Sequence, residues 1–321
     1  MRRRGMSNLR RLGNQIQITL PTDEQGFIGR ECPDVRCEGY FKVQPGTGLQ
    51  GNPDCHCPYC GGTAPQDHFY TKAQIEYAKS VALNQITGAL IKDLKTLEFN
   101  HKPRGGFGIG VSMKVTGQSH PIRYYREQQL ETEIVCSQCY LRYTIFGFFA
   151  YCPDCRNHNS FQILDKNLEL VSKQIALAGS VDAELADHLV GDALENAVAA
   201  FDGFGREACR IRAHLVTTPA KAENLSFQSL HSARQNLQSL FGFDLSKAIS
   251  SDDWSFTIGC FQKRHLLAHK MGVVDQAYLN ATHDPRAILG RKIIIEAGEV
   301  MRLLDTLRVL GRDLINRLPS I

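Results

Sequence analysis

The sequence predicts an α+β multidomain protein, a β-rich N-terminal region followed by an all-α bundle. Three observations carry this. Nine of the eleven cysteines precede residue 156. The chain up to about residue 160 is rich in Gly, Pro and aromatic residues, with short runs of β-forming side chains. From about Leu168 onward, apolar residues recur every three or four positions. A chain of 321 residues has room for roughly two domains of ~150 residues each. Its 43% hydrophobic and 22% charged residues lie in the ordinary globular range. That composition excludes a largely disordered chain, a collagen-like chain and a small disulfide-knotted domain.

The first stretch, residues 1–66, combines a basic arm with a first cysteine cluster. Within residues 1–30, Arg2, Arg3, Arg4, Arg10, Arg11 and Arg30 face only Asp23 and Glu24, a balance that equals the net charge of +4 for the whole chain. Such an arm suits phosphates or acidic surfaces, or else a solvated tail. No apolar stretch follows it, so it does not read as a signal peptide. The longest apolar run, Thr144 to Tyr151, is far short of the ~20 residues a membrane span needs. The expectation is a cytoplasmic protein with no membrane contact.

Cys32 and Cys37 are followed, after a Gly- and Pro-containing loop, by Cys57-x-x-Cys60. These four are the expected ligand set, with Cys55 and His56 as donors able to replace one of them. Residues 67–102 read as a helical connector. Its stripe Ile75, Ala78, Ala82, Ile86, Leu90, Leu94 and Leu97 is expected to pack against a core. Gly105–Gly110 is a poor match to a dinucleotide-binding loop and reads as a hairpin. Runs at Gln15–Leu20, Gly108–Val115 and Tyr143–Phe149 read as strands.

Residues 103–160 carry the strongest motif. Cys136-x-x-Cys139 and Cys152-x-x-Cys155 flank a segment of β-branched and aromatic residues. A hairpin between two such turns brings four thiolates around one ion, and zinc accepts four thiolates tetrahedrally. The expectation is two structural zinc ions, with sequential and interleaved pairing of the clusters both open to the spacing. The phrases RECPDVRCEGYFKV and CHCPYCGG resemble rubredoxin-like zinc ribbons over residues 30–62.

Residues 161–321 read as helices. One stripe runs Val190, Leu194, Ala197, Phe201, Phe204, Ala208. A shorter helix carries Leu230, Ala233, Leu237 and Leu240 and stops at Gly242. The last helix is expected to start with Asp284 as N-cap and Pro285 behind it. Its stripe is Ile293, Ala297, Val300, Leu304, Leu307, Gly311, Leu314, Leu318, suited to a bundle core or a helix–helix seam. Cys209 and Cys260 read as buried and inert.

Within this region lies FQKRHLLAHKMGVVDQAYL, with Arg264, His265 and His269. The Arg-x-x-x-x-His spacing, the polar residue after the arginine and the Gly-hydrophobic-Asp-x-x-Tyr-Leu tail resemble the signature of the HEPN superfamily. The resemblance covers residues ~165–321. It implies a dimerising helical bundle, and in many members an endoribonuclease that needs no catalytic metal. It implies Arg264, His265 and His269 as catalytic residues and RNA, tRNA included, as substrate. It further implies toxin or antiviral-defence roles with an antitoxin or regulatory partner. Two other readings stand beside it: a non-catalytic scaffold binding a nucleotide or a partner protein, and a zinc-ribbon nucleic-acid-binding regulator.

The residue types suit the chemistry. RNA cleaves when its 2′-OH attacks the adjacent phosphate. A histidine can move the proton at neutral pH and an arginine can face the phosphate oxygens. On a regular helix, positions 264 and 269 lie ~140° apart.

Overall fold

The computed structural model describes residues 7–51, 53–101 and 109–320. The chain divides into two compact units, Met1–Asn157 and His158–Ile321. Arg2, Arg3 and Arg4 of the basic arm, and residues 105–108 of the glycine-rich stretch, lie outside the described residues.

In the first unit a short helix α1 (Ser7–Arg11) precedes strands β1 (Ile28–Glu31), β2 (Tyr40–Val43), β3 (Cys55–His56) and β4 (Thr63–Ala64). Helix α2 (Lys72–Lys95) follows, then β5 (Phe99–His101), β6 (Val111–Met113), β7 (Thr132–Val135) and β8 (Arg142–Ile145). The main sheet has the antiparallel order β1-β2-β8-β7, with Arg30 opposite Phe41, Lys42 opposite Thr144 and Ile134 opposite Tyr143. The two cysteine-rich stretches therefore share one sheet. Their common core joins Phe41, Ile134, Tyr143 and Ile145 to the cysteines themselves. Lys42, 2% exposed, is neutralised by Asp23 at 2.6 Å.

Two strand expectations change. Residues 15–20 form no strand, and the run expected at 143–149 ends at Ile145. At Gly147 the backbone takes a left-handed φ of 82°, which ends the extended run. The helix expected from Lys72 forms with a full capping box, Thr71 with Gln74. Its apolar stripe is not its buried face. Ile75, Ile86 and Leu97 are exposed, whereas Gln74, Ser80, Ala89 and Asp93 are buried. The reason is polar docking. Gln74 Nε2 donates to Gly29 O (2.9 Å), Ser80 Oγ accepts from Arg123 N (2.9 Å), and Asp93 caps α1 through Asn8 N (2.9 Å). Glu127 adds a further tie, accepting from Gly29 N at 2.9 Å and from Tyr40 OH.

The second unit consists of α3 (Ser160–Ala178), α4 (Ala183–Arg210), α5 (Pro219–Glu223), α6 (Leu230–Phe241), α7 (Ser251–Lys270), α8 (Gln276–Thr282) and α9 (Ala297–Arg317). One core takes side chains from α3, α4, α6, α7 and α9. The α4 stripe is buried as its period predicts, from Val190 to Ala208. Helix α6 ends at Gly242 in the left-handed conformation.

The last helix starts later than its sequence signal. Asp284 accepts from Arg286 N (2.9 Å) and closes only a turn. Ile293 lies in an extended segment, where Val273 pairs with Lys292. Helix α9 begins at Ala297 behind a capping box of Glu296 with Glu299. From Val300 to Leu314 its stripe lies in the bundle core. Among the described residues no helix is long and apolar enough to cross a membrane.

Candidate functional site

Two cysteine quartets assemble in the first unit: Cys32, Cys37, Cys57, Cys60, and Cys136, Cys139, Cys152, Cys155. Within each, the sulfurs lie within 4.8 Å of one another. Sulfur–sulfur distances include Cys32–Cys60 and Cys37–Cys57, both 3.7 Å, Cys136–Cys155 at 3.6 Å and Cys139–Cys152 at 3.4 Å. Four thiolates at ~2.3 Å from one zinc form a tetrahedron with edges of about 3.8 Å. A disulfide would need about 2.05 Å. The quartets thus fit two structural zinc ions, and all these cysteines are free. Burial pushes the Cys32 and Cys139 thiols up to about 12. A dication offsets that cost, because a thiolate is the form it binds.

The local backbone explains why the sulfurs converge. Three of the four turns share one hydrogen-bond pattern. Cys57 N, Cys136 N and Cys152 N donate to the carbonyls of Gly62, Leu141 and Asn157 (2.8–2.9 Å). Gly61 N, Tyr140 N and Arg156 N donate back to Cys57, Cys136 and Cys152 (2.9–3.0 Å). Those three donors have φ of 68°, 63° and 59°. The longer Cys32–Cys37 turn is closed instead by Cys32 N to Gly39 O (3.0 Å). Cys55 and His56 stay outside the quartet. Cys55 is buried with its thiol pushed up to about 12 by desolvation, and His56 Nδ1 pairs with Thr63 Oγ1 at 2.8 Å.

The second site is the C-terminal end of α7. Ser250 caps the helix start, accepting from Asp253 N (3.0 Å). Trp254, Thr257, Cys260, Phe261 and Leu266 face the interior. Lys263, 5% exposed, locks the helix to α9 through Glu299 (2.8 Å) and to the preceding loop through Ile294 O (3.0 Å). This leaves Arg264 half-buried and His265 and His269 exposed. The two imidazoles lie on one face with centroids 4.7 Å apart. The Arg264 Nε is buried without a hydrogen-bond partner. The helix stays regular to Lys270, so 264 and 269 keep the ~140° separation of an undistorted helix.

The tail of the motif has structural work. Met271 and Gly272 take left-handed φ of 53° and 77°, and Gly272 N donates to Leu266 O (2.9 Å), stopping α7. Val274 and Tyr278 pack with Leu266 and Ile293 in a small core. Asp275 caps α8 through Tyr278 N (2.8 Å), and Tyr278 OH donates to Asp284 (2.9 Å). Cys209 and Cys260 are buried, their thiols pushed up to about 12 by desolvation.

Sequence reading missed Lys263, Glu299 and the basic pair Arg291–Lys292. The last two come within reach of α7 only through the Val273–Lys292 bridge. No local signal announces that pairing. Comparison with family models, with curated proteins and with solved structures finds no match for this chain.

Proposed function

We propose that this protein is a HEPN-like endoribonuclease whose helical unit cleaves RNA by 2′-OH attack on the adjacent phosphate. The observation that carries the reading is the α7 end itself. An arginine with no ion pair among the described residues and two exposed, face-sharing histidines lie within six residues at the end of one helix. His269 takes the 2′-OH proton as the 2′-oxygen bonds to phosphorus. The P–O5′ bond breaks, and His265 protonates the departing 5′-oxygen. Arg264 faces the phosphate oxygens as charge builds on them. The products are a 2′,3′-cyclic phosphate and a free 5′-OH.

The ~140° between Arg264 and His269 argues for a homodimer, in which two copies of α7 line one cleft. The zinc-bearing unit selects the RNA or a partner. Cleavage of cellular RNA such as tRNA is toxic, so the protein acts inside the cell as a regulated toxin or antiviral effector with an antitoxin-like partner.

The test is purified full-length protein with end-labelled RNA. Cleavage leaving 2′,3′-cyclic phosphate ends, reduced at least about 100-fold in Arg264→Ala and in His269→Ala, supports the reading. RNA that stays intact with the wild-type dimer, while gel-shift binding persists, refutes it and favours the regulator reading.

A further inference from the structure

Charge pairing in the helical unit is uneven. Most of its arginines and lysines sit within 4 Å of a carboxylate, as Arg234 does with Asp244 and Arg302 with Asp253. Among the described residues, Lys221, Lys247, Arg264, Lys270, Arg291, Lys292 and Arg312 have no such partner, Arg312 lying over the Phe161 ring instead. Three of them, Lys270, Arg291 and Lys292, gather at the C-terminal end of α7.

The gathering is built by the backbone. Lys270 is the last residue of α7. Two residues on, Gly272 O accepts from Ile293 N (2.8 Å), and Val274 N donates to Arg291 O (2.9 Å). Val273 pairs with Lys292. The Lys292 side chain lies over Gly272, its Cγ 3.6 Å from where a Cβ would stand there. The antiparallel bridge thus sets Arg291 and Lys292 at the C-terminal end of α7, with Lys292 against the Leu267–Met271 side, about half a turn round the helix from His265 and His269. Lys270, Arg291 and Lys292 are all exposed.

Unpaired exposed cations repel one another, and folding gains nothing from collecting them. A polyanion repays that cost by binding. Lys292 itself lines a cavity of about 460 Å³ with Asp187, Asp192 and Glu195 of α4, and with Arg291 it lines a second one that carries Asp284 and Glu296. Asp284 and Glu296 are already engaged by Tyr278 and Arg286, so the α4 carboxylates are the ones left to repel a polyanion from their flank.

We propose that Lys270, Arg291 and Lys292 hold the phosphodiester backbone of the RNA where it runs past the C-terminal end of α7, with the α4 carboxylates marking one edge of its path. The proposal rests on the ribonuclease reading for the identity of the polyanion.

The experiment measures binding separately from cleavage. Full-length His269→Ala protein is titrated against a fluorescein-labelled 20-nucleotide oligouridylate at several salt concentrations. The added changes Lys270→Gln, Arg291→Gln and Lys292→Gln are expected to weaken binding about 10-fold. They should lower the slope of log K against log salt by about 2, at ~0.7 per phosphate contact. Lys221→Gln with Lys247→Gln, two unpaired cations elsewhere in the unit, leaves the slope unchanged. Asp187→Asn with Asp192→Asn tightens binding about 2-fold. An unchanged slope in the triple variant overturns the proposal. So does polyglutamate binding tighter than RNA and lost in the same variant, which would make an acidic protein the occupant. If wild-type protein cleaves RNA while the slope is unmoved, the strip falls and the ribonuclease reading stands. If the slope falls as expected and wild-type protein never cleaves, the reverse holds.

Discussion

Removing zinc is expected to unfold the N-terminal unit and leave the helical unit folded. The core of the first unit holds six large apolar side chains: Phe41, Phe69, Ile134, Leu141, Tyr143 and Ile145. At ~1.5–3 kcal/mol each, their burial contributes about 9–18 kcal/mol. Each structural zinc contributes ~10–16 kcal/mol of apparent binding free energy. Two ions thus contribute as much as this apolar core or more, and a typical domain is stable by only ~5–15 kcal/mol. The helical unit has its own core, which takes no side chain from either quartet. The assay is chelator titration of full-length protein under reducing conditions. Zinc release is followed with a colorimetric indicator, helix content by circular dichroism, and exposure by limited proteolysis. The expected result is release of two equivalents, rapid digestion up to the neighbourhood of His158, and a protected C-terminal fragment that melts as before. Because β2 and β8 join the two clusters in one sheet, Cys139→Ser should also weaken zinc at Cys32, Cys37, Cys57 and Cys60. A metal-free N-terminal unit that resists protease as well as the loaded protein would refute the reasoning.

Gly205→Ala sets two effects against each other. Alanine favours the helix by ~1 kcal/mol. Its Cβ would stand 2.6 Å from the buried Phe227 ring, which is held edge-on to Phe201, and overpacking costs ~1–3 kcal/mol. A net loss of about 1 kcal/mol is expected in the urea midpoint, and a gain would contradict it. Gly61→Ala places a Cβ at φ 68° and 3.1 Å from Tyr151, at a cost of ~1–2 kcal/mol. Chelator competition should show weaker zinc at the first quartet and unchanged zinc at the second. The third prediction concerns acid. Burial alone would raise the Glu207 carboxyl, but hydrogen bonds from His158 and Arg210 outweigh it and hold it at about 2. A depressed carboxylate stabilises the fold above its unfolded value near 4.5, and that contribution is lost as pH falls toward about 2. Glu207→Gln should flatten this acid limb of stability against pH. An unchanged limb would show that Glu207 does not set it.

Legibility followed the range of the signal. The eight ligand cysteines were readable because each turn is a matter of a few consecutive residues, whereas which turns face one another was left open by spacing and is decided by the fold. The α4 stripe was readable because its partners are apolar and its period is regular. The α2 stripe misled for the opposite reason. Its buried side is polar, chosen by Gly29, Arg123 and Asn8, which no periodicity reveals. Asp284-Pro285 carries a helix-start signal, yet Lys292 pairs with Val273 and holds the chain extended for several residues more.

The sequence by itself determined the four cysteine turns, the helical character of the C-terminal half and the Arg264, His265, His269 spacing. These depend on contacts within a few residues, so composition and period suffice. Only the tertiary structure decided that both quartets share one sheet, that Lys263 is consumed by Glu299 while Arg264 is left unpaired, and that Arg291 and Lys292 stand beside α7. Those outcomes depend on which distant segment comes to lie against each residue. Burial and charge pairing are settled by that neighbour, and a one-dimensional pattern does not contain it.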